Sequence, residues 1–194
     1  MQSSFNPDAI QVLDDLLSPQ ELSLLAQRLA GPVWRFGWAQ HYGVLDRPCW
    51  HAFIAGSARE QRQDCEQELR ERAGWTFLAD WWAGFKDRHL PQATLLGVYA
   101  NGQTSGQDGP IHRDNRLDEP GKTLVMFCNE HWATAWGGEL LFFDPTKTDV
   151  IKAVLPKPGR VVLFDGRIPH SARSPAASCN RLRVSLAFKT LIKE

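Results

Sequence analysis

The sequence lacks an excess of either charge: Lys+Arg and Asp+Glu number 22 each in 194 residues, for a formal net charge of +0. No global field therefore draws the chain to DNA, RNA or an anionic membrane, and a small or neutral substrate is the expected partner. It also lacks a CxxC pair. Cys49, Cys65, Cys128 and Cys179 stand singly and read as reduced thiols of a cytoplasmic protein rather than as a disulfide framework. No signal peptide, no apolar run of transmembrane length, no internal repeat and no low-complexity tract is visible. Nothing in the chain specifies an oligomeric state.

What remains is 43% hydrophobic and 23% charged, which fits one domain spanning 1–194 that buries its core without disulfides. The order of patterns divides it. Ser18-Pro19-Gln20-Glu21, after an N-terminal strand and turn in residues 8–17, has the cap, first-position proline and returning glutamate of a helix start. That helix is expected to run to about Ala30 and stop at Gly31-Pro32. A second is expected from Ser57, with its S-x-x-E to Glu60, to near Arg72. A third covers roughly Thr76 to Arg88, with Phe77, Leu78, Trp81, Trp82 and Phe85 at helical spacing and Pro91 beyond. Most of the eight tryptophans are expected in the core or in a pocket wall.

From residue 93 the period becomes two. Segments 93–100, 122–129, 139–143, 150–154, 160–164 and 183–190 read as short strands separated by Gly, Pro and Asp turns. Strands preceded by helices predict a mainly β fold, a jelly-roll or cupin-like double-stranded β-helix over residues 93–192, with the helices of residues 1–92 packed on one face. Gly102 to Gly109, polar and without an apolar residue, is expected to be a mobile loop at the mouth of a site.

The chemistry-bearing pattern lies in Gly109-Pro110-Ile111-His112-Arg113-Asp114-Asn115, where H-x-D in extended backbone aims His112 and Asp114 the same way. His170, in Ile168-Pro169-His170-Ser171, supplies a third donor. Two imidazoles and one carboxylate on one face of an octahedral ion leave three positions open, a donor set suited to Fe(II). An H-x-D pair alone is common on surfaces; its context carries the weight. Downstream stand Trp136-Gly137-Gly138-Glu139-Leu140, then Pro158-Gly159-Arg160-Val161-Val162-Leu163-Phe164, then His170, then Arg183-Val184-Ser185. That ordered series resembles the 2-oxoglutarate and Fe(II)-dependent dioxygenases, particularly their small prolyl-4-hydroxylase-like branch, over about residues 95–190.

The resemblance implies that His112, Asp114 and His170 hold Fe(II), that 2-oxoglutarate and O2 are co-substrates, and that ascorbate is a stimulant. The far carboxylate of 2-oxoglutarate then needs a cation, and a guanidinium fits it in two-pronged fashion. Arg183 with Ser185 matches that role; Arg181 is the alternative. Tyr99, on the strand before the metal loop, is a candidate contact of co-substrate or substrate, or else an aromatic filling the barrel. Gly137-Gly138 reads as architectural, Asn115 and Asn129 as turn or strand-end residues or ligand-orienting ones, and Arg113 and Arg116 as solvated surface or mouth residues. His41, His51, His89 and His131 are expected not to be ligands. Two positions depart from the prolyl hydroxylases: Phe127 replaces a frequent Tyr, and Lys189 a frequent Trp.

Asp114 bears on outcome, because related halogenases replace the carboxylate ligand with a small residue, so a carboxylate favours hydroxylation. The reading is thus a hydroxylase releasing succinate and CO2, acting on a small molecule such as an amino acid, a sugar nucleotide or a natural-product intermediate. A peptidyl, prolyl-type hydroxylase is the alternative. A cupin-like metal-binding sensor without turnover is a third, disfavoured because a metal site alone has no use for a carboxylate anchor on the last strand.

Overall fold

The alternating segments after residue 93 do form strands, and the helices before it cover one face of the sheet they build. The structure, a computed structural model, describes residues 9–38, 48–56 and 63–192. In chain order its elements are β1 (Gln11–Leu13), α1 (Pro19–Leu29), β2 (Arg35–Trp38), β3 (Cys49–Ala55), α2 (Glu66–Glu71), α3 (Thr76–His89) and β4 (Ala93–Gln103). They continue with β5 (Lys122–Phe127), β6 (Leu140–Phe143), β7 (Val150–Val154), β8 (Val161–Asp165), β9 (His170–Ala172) and β10 (Arg183–Ile192). Seven strands form one antiparallel sheet in the order β1-β8-β5-β10-β4-β3-β2, and three form a second in the order β7-β6-β9. This is the mainly β, two-sheet architecture expected. No helix among the described residues is long and apolar enough to cross a membrane.

Local chemistry explains the helices. Ser18 Oγ accepts the Glu21 N–H at 3.2 Å while Ser18 N–H donates to the Glu21 carboxylate at 2.7 Å, the reciprocal cap that Pro19 then extends. The second helix differs from expectation. Its proposed start at Ser57–Glu60 lies outside the described residues, and residues 63–65 are not helical. There the Cys65 N–H bonds Leu95 O at 2.9 Å, which holds the chain against β4, and helix begins only at Glu66, whose N–H bonds Asp64.

Three strands escaped the sequence reading. β2 contains Gly37 and β3 contains His51, which break the β-branched signature, and β9 has only three residues whose strand form comes from pairing with β6. Gly102 and Gln103, expected in a loop, complete β4.

β10 shows how the layers follow from alternation. Val184, Leu186 and Phe188 face the helices, where Phe188 packs against Trp82 with ring centroids 5.2 Å apart. Arg183, Ser185 and Ala187 face the other way, toward the second sheet, and line a cavity between the two. A separate apolar cluster of Val125, Phe127, Phe142 and Phe164 closes the space between the sheets. Trp75, Trp82 and Trp132 are buried, Trp34, Trp81 and Trp136 are partly so, and Trp50 is exposed. None of these lines the cavity; the Trp38 side chain lies outside the described residues. Most of the described tryptophans are therefore core, and none is a wall of this cavity. Replacing Phe188 with Ala removes the ring that joins β10 to α3, and it is expected to lower stability by about 3–5 kcal/mol in urea denaturation.

Candidate active site

The metal-ligand candidates come together because the turn after β8 and the loop after β4 are sewn to each other through backbone. His112 N–H donates to His170 O at 3.0 Å and His170 N–H to His112 O at 2.9 Å. Gly166 O accepts from both Asp114 and Asn115 N–H, at 2.8 and 3.0 Å. His112 thus lies in a single-residue bridge rather than in a strand. Gly166 has no space for a side chain, since a Cβ there would fall 1.8 Å from Asn115 Oδ1. Asn115 is buried and its amide donates to Thr190 O at 3.1 Å, so it fastens the loop to β10.

Each imidazole is oriented by its own chain. His112 Nδ1 lies 3.0 Å from Pro110 O and His170 Nδ1 lies 3.0 Å from Ile168 O. A proton on each Nδ1 satisfies those carbonyls and leaves both Nε2 lone pairs directed inward. Asp114 completes the group, with Oδ1 3.3 Å from His112 Nε2 and Oδ2 3.4 Å from His170 Nε2. The three ligand atoms lie within 4.8 Å of one another. Converging lone pairs in a place where the Asp114 side chain is 3% exposed fit a divalent cation, whose charge offsets their mutual repulsion.

Charge at this end is strongly coupled. Burial alone would raise the Asp114 pKa, but Lys189, His170 and hydrogen bonds outweigh it and hold the carboxyl well below its usual range. Burial and the neighbouring His170 push the His112 pKa down, which favours the neutral imidazole. Thr123 Oγ1 donates to Asp114 Oδ2 at 2.7 Å, and Lys189 Nζ lies 2.7 Å from Oδ1. Sequence reasoning missed both. In the sequence Thr123 looks like an ordinary strand residue, and Lys189 stands out only as a departure from Trp.

At the other end of the cavity Arg183 is 1% exposed. Its Nε donates to Gly138 O at 2.7 Å, its Nη1 to Gln103 Oε1 at 2.9 Å, and Ser185 Oγ lies 3.5 Å from Nη1. The guanidinium carbon stands 5.2 Å from the Phe127 ring centroid, so the residue that replaces Tyr gives the cation an aromatic face. Nη2 is buried with no hydrogen-bond partner among the described residues. Burial lowers the Arg183 pKa to about 10, still charged at neutral pH. A buried cation with one free donor fits a ligand carboxylate. Gln103, also missed, holds Arg183 and donates from Nε2 to Gln107 O at 2.6 Å, which ties the anchor to the segment at the mouth.

The double glycine acquires a specific reason. Gly138 has φ +80°, and a Cβ there would meet Arg183 Cδ at 3.0 Å and Nε at 3.1 Å. Only glycine lets the guanidinium lie against this backbone. Gly138→Ala is expected to cost about 1–2 kcal/mol in thermal or urea unfolding from the left-handed backbone alone and to displace Arg183.

Tyr99 lines the cavity; its ring lies 5.0 Å from His51 and 5.3 Å from Lys189 Nζ. Arg181 does not reach the cavity; it is exposed and lines a separate hollow of about 570 Å³ with Trp34 and Leu182. Arg113 bonds the carbonyls of Arg167 and Pro145, Arg116 pairs with Asp118 on the surface, and Asn129 bonds backbone of Leu182 and Val184. His51 is buried against Asn101, while His89 and His131 pack beside Phe85 and Trp136; none joins the ligand cluster, and His41 lies outside the described residues. The cavity measures about 80 Å³, and Gln107, Asp108 and Gly109 form part of its rim. Gln107 Nε2 donates to Pro48 O at 2.8 Å and Asp108 pairs with Arg173 at 3.0 Å, so the rim is tied on two sides. Cys49 is also on the wall, its thiol pushed up to about 11 by burial.

Residues 96–189, the span from β4 through Lys189, match the model of the 2OG-Fe(II) oxygenase superfamily. That matched span holds every candidate metal ligand and Arg183. This oxygenase is an oxidoreductase of the 2-oxoglutarate-dependent dioxygenase class, with Fe(II) as cofactor and 2-oxoglutarate as co-substrate. Its fold is similar to that of a prolyl hydroxylase from Trichoplax adhaerens in complex with a hypoxia inducible factor oxygen degradation domain peptide fragment. That match has TM-score 0.67 and 18% identity, over 96% of this chain and 85% of that one. A Pseudomonas putida prolyl-4-hydroxylase matches at TM-score 0.59 and 18% identity, over 96% and 94%. EvdO2 from Micromonospora carbonacea var. aurantiaca, complexed with 2-oxoglutarate, matches at TM-score 0.56 and 16% identity, over 95% and 86%. No curated protein matches the oxygenase's sequence.

Proposed function

We propose that the chain, acting as a single domain, hydroxylates a small molecule, with His112, Asp114 and His170 holding Fe(II) and Arg183 with Ser185 holding the far carboxylate of 2-oxoglutarate. The observation that carries this reading is one cavity with three converging metal-ligand atoms at one end and the partnerless Arg183 Nη2 at the other. Bound iron and 2-oxoglutarate supply the oxidation that inserts oxygen into an unactivated C–H bond, with succinate and CO2 as the other products. The chain's own work is placement. Nδ1 contacts aim the imidazoles, Gly138, Gln103 and Phe127 fix Arg183, and the apolar cluster under the site keeps bulk water from it. Asp114 in the carboxylate position supports hydroxylation over halogenation.

The small volume and the tied rim support a compact substrate, and the even charge balance supports one without strong polyanionic character. A second reading, hydroxylation of a peptide, draws on the prolyl hydroxylases among the similar folds. Phe127 and Lys189 count against it as departures from that branch.

Two outcomes are expected. Succinate forms from 2-oxoglutarate with Fe(II) and ascorbate, and Asp114→Ala abolishes it; a folded, iron-supplemented chain that makes no succinate with any of a broad substrate panel sinks the enzyme reading in favour of a sensor. Arg183→Ala raises the 2-oxoglutarate concentration needed for half-maximal rate by on the order of 100-fold, as expected for truncating one side of a buried charge pair. Arg181→Ala leaves it unchanged, and the reverse pattern moves the anchor to Arg181. Coupled succinate release with prolyl peptides, but with no amino acid, sugar nucleotide or other metabolite, decides for the second reading.

A further inference from the structure

Asp114 is held by two donors of different kinds. Oδ2 accepts a neutral hydroxyl, Thr123 Oγ1, at 2.7 Å, and Oδ1 faces the Lys189 ammonium at 2.7 Å. Lys189 is not among the residues that line the cavity; from the inward row of β10 its Nζ reaches Asp114 Oδ1 beside the Tyr99 ring, with its side chain 23% exposed. It comes from β10, directly opposite Thr123 in register, so one pair of neighbouring residues on two central strands grips both oxygens. In the prolyl hydroxylases this position often carries an aromatic residue, which orients by packing and adds no charge.

We propose that Lys189 is a positioning residue that fixes the Asp114 carboxylate and lowers the site's affinity for its metal. This rests on the reading of Asp114 as a metal ligand. Two effects oppose each other when Lys189 is replaced by a neutral side chain. Orientation is partly lost, which weakens binding; a positive charge one carboxylate away from the ion is removed, which strengthens it. Thr123 still restrains Oδ2, so the orientational loss is small, whereas the charge acts through a poorly solvated interior where screening is weak. Charge therefore wins. Thr123 differs in sign: removing its hydroxyl takes away restraint and no charge.

The test measures Mn(II) dissociation constants from the free-ion electron paramagnetic resonance signal, without turnover. Lys189→Met is expected to bind Mn(II) about 10-fold more tightly than the unsubstituted chain, opposite in sign to the loss that follows when a group that only orients a metal ligand is removed. Lys189→Arg retains the unsubstituted affinity, and Thr123→Val binds more weakly. The metal-free thermal midpoint of Lys189→Met falls, while its Mn(II)-induced rise in midpoint grows. A purely structural lysine would lower metal-free and metal-bound midpoints together and leave the dissociation constant alone; that result, or weaker binding by Lys189→Met, overturns the proposal. Lys189→Gln provides the same comparison if Lys189→Met does not fold. An unsubstituted chain that binds no Mn(II), while Asp114→Ala behaves identically, overturns the metal-site reading itself and this proposal with it.

Discussion

His112 and His170 exchange backbone hydrogen bonds of 3.0 and 2.9 Å, and this reciprocal pair is what makes two distant segments one site. Neither segment is rigid by itself: one is the loop between β4 and β5, the other a three-residue strand at the margin of the small sheet. Gly109 N–H to Ala172 O at 2.8 Å and Gly166 O with its two acceptor contacts lengthen the seam in both directions. Side chains can then converge because the backbone beneath them is already paired. The imidazoles inherit their direction from carbonyls two residues upstream, and the carboxylate inherits its own from β5 and β10. The seam thus passes constraint from the large sheet to the ligand atoms.

Along the large sheet, β10 carries the electrostatics of the cavity. Its inward row runs Arg183, Ser185, Ala187 and Lys189, a cation at each end with small residues between. The two cations are treated differently. Lys189 is matched by Asp114 within the chain, whereas Arg183 hydrogen-bonds only neutral acceptors among the described residues, feels Glu139 through space, lies against an aromatic face and keeps one nitrogen without a hydrogen-bond partner. A buried charge left partly unmatched is unfavourable for folding, and folds tolerate it where a ligand completes it.

Much of this was legible in the sequence, and for identifiable reasons. Local rules act within a few residues, so the Ser18–Glu21 cap and the apolar spacing of α3 could be read directly. The inward and outward alternation of β10 could be read as well, but it put Arg181, Arg183 and Ser185 on one face, and only the resemblance to R-x-S favoured Arg183. The order of H-x-D, double glycine, His170 and R-x-S set the candidate site because the series as a whole resembles one family, although each piece alone is common. What could not be read depends on partners far along the chain. β9 exists because β6 lies beside it, and residues 63–65 stay out of the helix where Leu95 O accepts the Cys65 N–H. Thr123, Gln103 and Lys189 are ordinary residue types whose importance lies in what they touch. Lys189 was the one with a signal, since an ionisable residue on an inward position of a central strand needs a partner.

Cys49 stands on the wall of a cavity where, by family, dioxygen is activated, and it is the kind of residue that such chemistry damages. Sulfur oxidation begins from the thiolate, and burial keeps that form scarce at neutral pH by pushing the thiol to about 11. Cys65, beneath the helices, is held at about 12 by the same cause. The packing that shapes the cavity thereby also keeps both thiols protonated, so neither is a ready nucleophile toward peroxide that escapes when oxygen activation is uncoupled from substrate.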